Sequence, residues 1–344
     1  MKHTRTPLSP RTRVATLAAA AGLLLALQIG AMPDAAAQQR NPGQTIGETI
    51  ADRSSAHYTV ERFSVSSADG TRAWRVHVAV PKTPAPAGGF PAFWMLDGNA
   101  ALIEFDAVLL AELAAQPVPH ALVFVGYENA LRIDSEARTR DYTPVAGERP
   151  VRGGAPVIGG GGADAMLETI ERAIRPELAR HVATDPTQQT LWGHSLAGLF
   201  ALHTLYTRTG AFDTYAAGSP SLWWGDGALL GAPEQRFVAN NAGHPVRVLL
   251  GLGEGERQVA HRDLSDPRVQ VHLRRIEAAP ADSAQRLAER LAEVDGLDVS
   301  YREFPGLTHG PMFRASLMWA LHVVTGVADH SDTPSRADGV APDH

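Results

Sequence analysis

Apolar and polar positions alternate with a period of two from Tyr58 to Ser66 and again from Ala73 to Val80, with Asp69-Gly70 between them. Period two is the spacing of a half-buried strand and Asp-Gly is a hairpin turn signal, so the fold is predicted to open with a β-hairpin. After a proline-rich connection from Pro81 to Gly89 the pattern changes. Phe90 to Leu96, Ala121 to Gly126, Tyr215 to Ala217 and Val246 to Leu252 are short, near-continuous apolar runs, and Val299 to Phe304 alternates. Continuous runs of that length read as strands buried on both faces. Helical stretches are predicted from the turn at Asp97-Gly98-Asn99 through Ala115, and over Ala165 to His181, Leu196 to Thr209 and Ser283 to Val294. An initial hairpin followed by alternating strands and helices gives an α/β fold with a mostly parallel central sheet and helices on both faces. No internal repeat interrupts this order.

The ends of the chain read differently. Lys2, Arg5, Arg11 and Arg13 precede an apolar run from Val14 to Ile29, and Ala35-Ala36-Ala37 supplies small residues after it. That is the layout of a secretory signal over residues 1–37, which implies export across the inner membrane; a periplasmic location is what the resemblance described below implies. The competing reading is an uncleaved anchor; the run is short for a membrane span, so no stable anchor is expected. Residues 38–56 are expected to be disordered or extended, 57–327 to form one domain, and 328–344 to be a flexible tail.

Composition narrows the function. With 344 residues and 44% hydrophobic content the chain can bury one large core. Its formal net charge of -6 becomes more acidic when the basic leader is removed, which disfavours nucleic acid as a partner. The absence of cysteine excludes disulfides, thiolate metal sites, cysteine nucleophiles and a lipoprotein anchor.

The sequence Leu191-Trp192-Gly193-His194-Ser195-Leu196-Ala197-Gly198 carries the chemistry. An apolar run entering a Gly-x-Ser turn and leaving on a helix is the form of a nucleophile elbow, in which a serine is held above a sheet on a strained turn. Ala197 stands where the usual GxSxG pattern has its last glycine. A serine hydroxyl needs a neighbouring base, itself oriented by a third group. In α/β hydrolases these follow in the order Ser, Asp or Glu, His. Glu254 and Glu256 follow the Val246 strand, and His309 lies in the Pro305-Gly306-Leu307-Thr308-His309-Gly310-Pro311 loop after the Val299 strand. Ser195 is therefore the candidate nucleophile and His309 the candidate base. Glu256 is the preferred acid, with Glu254 as the alternative, because Glu256 has the reach to point back towards a histidine. The oxyanion hole would be formed by the main-chain N–H groups of Leu196 and Asn99, the latter at a helix start where donors lack partners. Plain helix capping by Asp97 or Asn99 is the alternative use of that turn. His194 reads as a packing or oxyanion-side residue and His203 as structural.

These segments, with Phe93 to Asn99, Gly126-Tyr127, Arg138 to Pro144, Ser219-Pro220-Ser221 and Phe304 to Phe313, resemble the esterase-D-like esterases, most closely the periplasmic esterases of catecholate siderophore trilactones. The resemblance spans roughly residues 57 to 325. It implies an α/β-hydrolase fold, no metal or other cofactor, Ser195 as nucleophile and His309 as base. The implied substrate is a small-molecule ester, a ferric or iron-free catecholate siderophore such as enterobactin or salmochelin. Ala197 departs from the family glycine and is expected to reshape the acyl pocket slightly.

Several residues are candidates for holding such a substrate, with Trp223, Trp224, Arg138 and Tyr127 preferred. Trp223 and Trp224 could stack on catechol rings or pack in the core. Arg138 could bind anionic charge, as could Arg132 and Arg140, which read equally as surface. Tyr127 belongs to the Gly126-Tyr127 block. The glycine-rich stretch from Val145 to Gly162 lacks a following Gly-Lys-Ser/Thr and a preceding strand, so it reads as an active-site flap and not a phosphate loop. Another ester hydrolase or acyltransferase of the same fold, acting on feruloyl or acetyl esters, and a non-catalytic siderophore-binding protein remain as alternatives.

Overall fold

In the computed structural model the described residues are 1, 44–67, 69–145, 160–241, 243–257 and 278–334. The predicted signal at 1–37, apart from Met1, and most of the glycine-rich stretch lie outside them. The chain divides into two compact units, Met1–Thr45 and Ile46–His344, and the fold described below is that of the second.

Eight strands form one sheet: β1 (Tyr58–Ser66), β2 (Ala73–Pro81), β3 (Phe90–Leu96), β4 (Ala121–Tyr127), β5 (Thr184–His194), β6 (Thr214–Gly218), β7 (Val246–Gly253) and β8 (Leu297–Phe304). Their order across the sheet is β1-β2-β4-β3-β5-β6-β7-β8. β1 pairs antiparallel with β2 and β2 with β4, and every other pairing is parallel. The sheet is thus mostly parallel with one antiparallel hairpin at its edge.

The continuous apolar runs follow from burial on both faces. Along β3, Trp94 and Leu96 join the core shared with the helix Leu196–Thr207 and the helical segment from Ala163 to Leu178, whereas Phe93 and Met95 join the core with the helix Met312–Thr325. All seven residues of β3 and of β4 are buried. A strand covered on both sides has no polar face to keep, so its sequence shows no alternation.

Two expected helices are divided, each for a local reason. The helix predicted from Asp97 to Ala115 separates into Gly98–Ile103 and Ala107–Ala114. Asp106 caps the second piece, its Oδ1 accepting from Val108 N at 3.0 Å and Leu109 N at 2.9 Å. The helix predicted over Ala165 to His181 widens into a π turn at Ile170–Ile174. Pro176 follows and lacks the N–H that would continue the α ladder.

The expected loose segments are partly tied down. Thr49 and Asp52 form a reciprocal capping box around the short 3-10 turn Ile50–Asp52, and Ile50 is buried. Asp329 pairs with Arg302 at 2.6 Å and His330 Nε2 lies 2.6 Å from Glu112, so the expected tail is anchored through its first turn.

The chain leaves β3 for β4 on one side and returns to β5 on the other. The strand order therefore reverses at β3, and a crevice outside the carboxyl ends of β3 and β5 is where open α/β sheets hold ligands. Ser195 directly follows β5 and Asp97-Gly98-Asn99 directly follows β3.

Candidate active site

Ser195 has φ 62° and ψ -117°, a left-handed conformation that a serine adopts only at a cost in backbone strain. The turn that imposes it is tight enough to require glycine at 193: a Cβ there would lie 2.3 Å from the Ala197 carbonyl oxygen. The Ala197 methyl is fully buried in the core behind the elbow. With no exposed surface the methyl does not line the crevice, against the expectation that Ala197 reshapes the acyl pocket.

Three loops from the carboxyl end of the sheet meet at the elbow. His309 Nε2 lies 3.0 Å from Ser195 Oγ, and His309 Nδ1 lies 2.7 Å from Glu256 Oε2. The other Glu256 oxygen accepts from Ser219 Oγ at 2.5 Å and from Gly253 N at 3.2 Å. Glu254 does not reach His309. Its Oε2 accepts instead from Gly306 N at 2.9 Å, and Gly255 N donates to Leu307 O at 2.9 Å, so this turn fastens the loop that carries His309. A hydroxyl, an imidazole and a carboxylate in series can carry acyl transfer, the carboxylate selecting the tautomer that leaves Nε2 free to accept a proton.

A family profile described as "Putative esterase" matches residues 67–322. The chain belongs to this esterase family. As a member it is a carboxylic-ester hydrolase. It is 33% identical over 306 residues to the apo-salmochelin esterase of Escherichia coli O6:H1, covering 88% of each chain. It is 34% identical over 277 residues to the ferri-bacillibactin esterase BesA of Bacillus subtilis, covering 75% of this chain and 88% of that one. A solved structure of the enterobactin hydrolase IroE in complex with DFP aligns with TM-score 0.61 and 31% identity, over 80% of this chain and 99% of the other. The fold is thus the α/β-hydrolase fold predicted from the sequence.

On the two sides of the esterase's crevice, Leu196 after β5 is the first residue of its helix and Asn99 after β3 the second of its own, so neither N–H has an acceptor within its helix. The Asn99 side chain is buried and fixes the turn, Nδ2 donating to the carbonyls of Tyr127, Asn129 and Leu131 at 3.3, 3.2 and 2.9 Å. Gly98 is required beside it, since a Cβ would lie 2.6 Å from the Phe124 carbonyl carbon. Asp97 makes no side-chain cap.

Asp97 is engaged elsewhere, by the guanidinium of Arg138. Arg138 Nε and Nη2 make a bidentate pair with Asp97 at 3.0 and 2.8 Å, and Nη2 also donates to His194 O at 3.1 Å. Both side chains are nearly inaccessible. Through Nε and Nη2 the guanidinium holds the β3 turn against the end of β5, and Nη1 has no hydrogen-bond partner among the described residues. Arg140 pairs with Asp141 at 2.9 Å. Arg132 is partly exposed, 3.7 Å from Glu104, with its guanidinium 5.8 Å from the Phe313 ring centre.

Two further substrate candidates are structural. Trp224 is buried, donates from Nε1 to Pro144 O at 3.0 Å and belongs to the core, so it offers no face to a catechol. Tyr127 is buried with its ring 6.3 Å from that of Tyr142, and its carbonyl serves Asn99. Trp223 is half-buried at the same corner, its ring 6.0 Å from that of Trp224. His194 is buried with its ring 4.6 Å from that of His309, and burial pushes it well below the usual histidine range, assisted by the charges of His309 and Arg138. A neutral ring there spares the His309 imidazolium a like-charged neighbour. His203 bonds Asp164 at 2.7 Å, away from the elbow.

Proposed function

We propose that this esterase hydrolyses the ester bonds of a catecholate siderophore trilactone, ferric or iron-free, through a Ser195 acyl-enzyme. The observation that carries the reading is the contiguous line from Ser195 Oγ through His309 to Glu256, at 3.0 and 2.7 Å, on a strained elbow. His309 Nε2 takes the Ser195 proton as Oγ attacks the ester carbonyl, while Glu256 accepts from Nδ1 and stabilises the imidazolium. The N–H groups of Leu196 and Asn99 receive the developing oxyanion. The departing alcohol takes its proton from His309, and water repeats the sequence on the acyl-enzyme. His309 is half exposed, which leaves the reacting edge open to a bulky ester. Siderophore specificity rests on the names of the relatives that cover most of the chain.

The location follows from the same reading: residues 1–37 direct export and are removed, and 57–327 carry the esterase domain in the periplasm. Among the described residues no helix is long and apolar enough to cross a membrane.

A product assay on iron-free and ferric trilactone beside a feruloyl ester tests the substrate. Linear and monomeric acyl-serine products from the trilactone, at a kcat/KM well above that for the feruloyl ester, are expected. Preference for the feruloyl ester overturns the substrate class, and tight siderophore binding without turnover overturns the enzymatic reading.

A further inference from the structure

The tripeptide Ser219-Pro220-Ser221, at the end of β6, touches both ends of the proposed triad. Ser219 Oγ donates to Glu256 Oε1 at 2.5 Å, and Ser221 Oγ lies 3.2 Å from Ser195 Oγ. The segment is fastened on either side of its proline, Ser219 N donating to Gly251 O at 2.7 Å and Ser221 N to Ser195 O at 3.0 Å. Ser219 has φ 42°, a conformation a non-glycine residue keeps only where its surroundings fix it. The strain turns the chain so that the two hydroxyls flank the site.

Proton counting sets the direction of the serine pair. With Glu256 accepting from Nδ1, His309 Nε2 is a bare acceptor, and the single Ser195 proton goes to it. Ser195 Oγ can then only accept from Ser221, whose hydroxyl is the donor. Ser221 is 2% exposed, and among the described residues its hydroxyl has no other protein partner. A buried hydroxyl committed to one acceptor stabilises that acceptor most when it gains negative charge.

We propose that Ser221 is a further catalytic residue of the esterase, its O–H stabilising charge on Ser195 Oγ during attack and again when Oγ leaves in deacylation. No bond to Ser221 forms or breaks; its proton stays on its own oxygen while the Ser195 proton passes to His309. The inference rests on the Ser195 nucleophile proposed above.

The test compares wild type, Ser221→Ala and Ser221→Thr by phosphonylation with a fluorophosphonate and by burst and steady-state phases on an activated aryl ester. Wild type is expected to label at Ser195. Ser221→Ala is expected to slow labelling, acylation and deacylation each about tenfold with KM unchanged, the rate equivalent of one hydrogen bond. Ser221→Thr keeps the donor and is expected to recover most of that loss. Labelling of Ser221→Ala at the wild-type rate, or Ser221→Thr as slow as Ser221→Ala, overturns the role of Ser221 alone. A wild type that does not label overturns the nucleophile assignment itself.

Discussion

Arg138 and Asp97 form a buried bidentate ion pair that joins the turn after β3 to the end of β5, because the same Arg138 Nη2 also reaches the His194 carbonyl. The two strands it links are those at which the sheet order reverses. The Nε–Nη2 edge of the residue read from sequence as an anion receptor is therefore spent on the scaffold of the crevice.

Removing either partner leaves a buried charge without compensation, at a cost of about 3–5 kcal/mol. Arg138→Met and Asp97→Asn are each expected to lower unfolding free energy by that order in chemical denaturation. Activity should fall on neutral and anionic activated esters alike. An anion receptor would instead show a raised KM for anionic esters at unchanged stability.

The two candidate acids separate cleanly in their contacts, one bonded to the imidazole and the other to the backbone of the histidine loop. Glu256→Gln can no longer hold the imidazole in the tautomer that accepts from Ser195, and kcat is expected to fall about 10⁴-fold. Glu254→Gln retains an oxygen to accept from Gly306 N, so its rate is expected to stay within about threefold of wild type. Steady-state kinetics of the two variants on one activated ester measure both.

The eight strands among the described residues could be read from the chain, because burial on both faces of β3, β4, β6 and the second half of β5 leaves continuous apolar runs and partial exposure of β1 leaves alternation. The loops bearing Ser195, Glu256 and His309 were readable for the same reason, each following a recognisable strand. The helix Ser135–Tyr142 was not, since its residues are mostly charged and it is held by the Asp134 cap and the Arg138 pair and not by an apolar stripe. The helix Met312–Thr325 lacks a clear period because most of its circumference is buried. Trp224 was ambiguous since an aromatic side chain reads alike in a core and on a binding face. Ser219 and Ser221 gave no signal of their own beyond belonging to a shared block, because a hydroxyl's role depends on what faces it in space.

Two buried histidines far from the elbow contribute, beside His194, to the acid response of stability. His77 and His120 are lowered from 6.5 to about 4, in each case chiefly by burial, with Arg75 and Arg62 adding to it at His77. Folded, both rings stay neutral until about pH 4; unfolded, they take up protons below 6.5. The unfolded chain thus binds more protons in that window, so stability is constant above pH 6.5 and falls as pH drops towards 4. Each ring accounts for a loss of about 3 kcal/mol by pH 4. Denaturant midpoints should fall between pH 7 and 4.5, and His77→Gln/His120→Gln should flatten that slope whatever its absolute stability.

Ala197 tests where the elbow meets the core. The pattern of the family has glycine there, and a substitution facing the crevice would alter how the acyl group sits. In the structure Ala197 lies in the first turn of the helix Leu196–Thr207, and its methyl is fully buried among core residues. Ala197→Gly removes a buried methyl and loosens the first turn of that helix, for a loss of about 1 kcal/mol. The crevice keeps its shape, so KM values for short and long acyl chains should retain their wild-type ratio. A stability loss of that size with an unchanged chain-length profile is the expected pair of measurements. A shifted profile at unchanged stability would place the methyl in the acyl pocket instead.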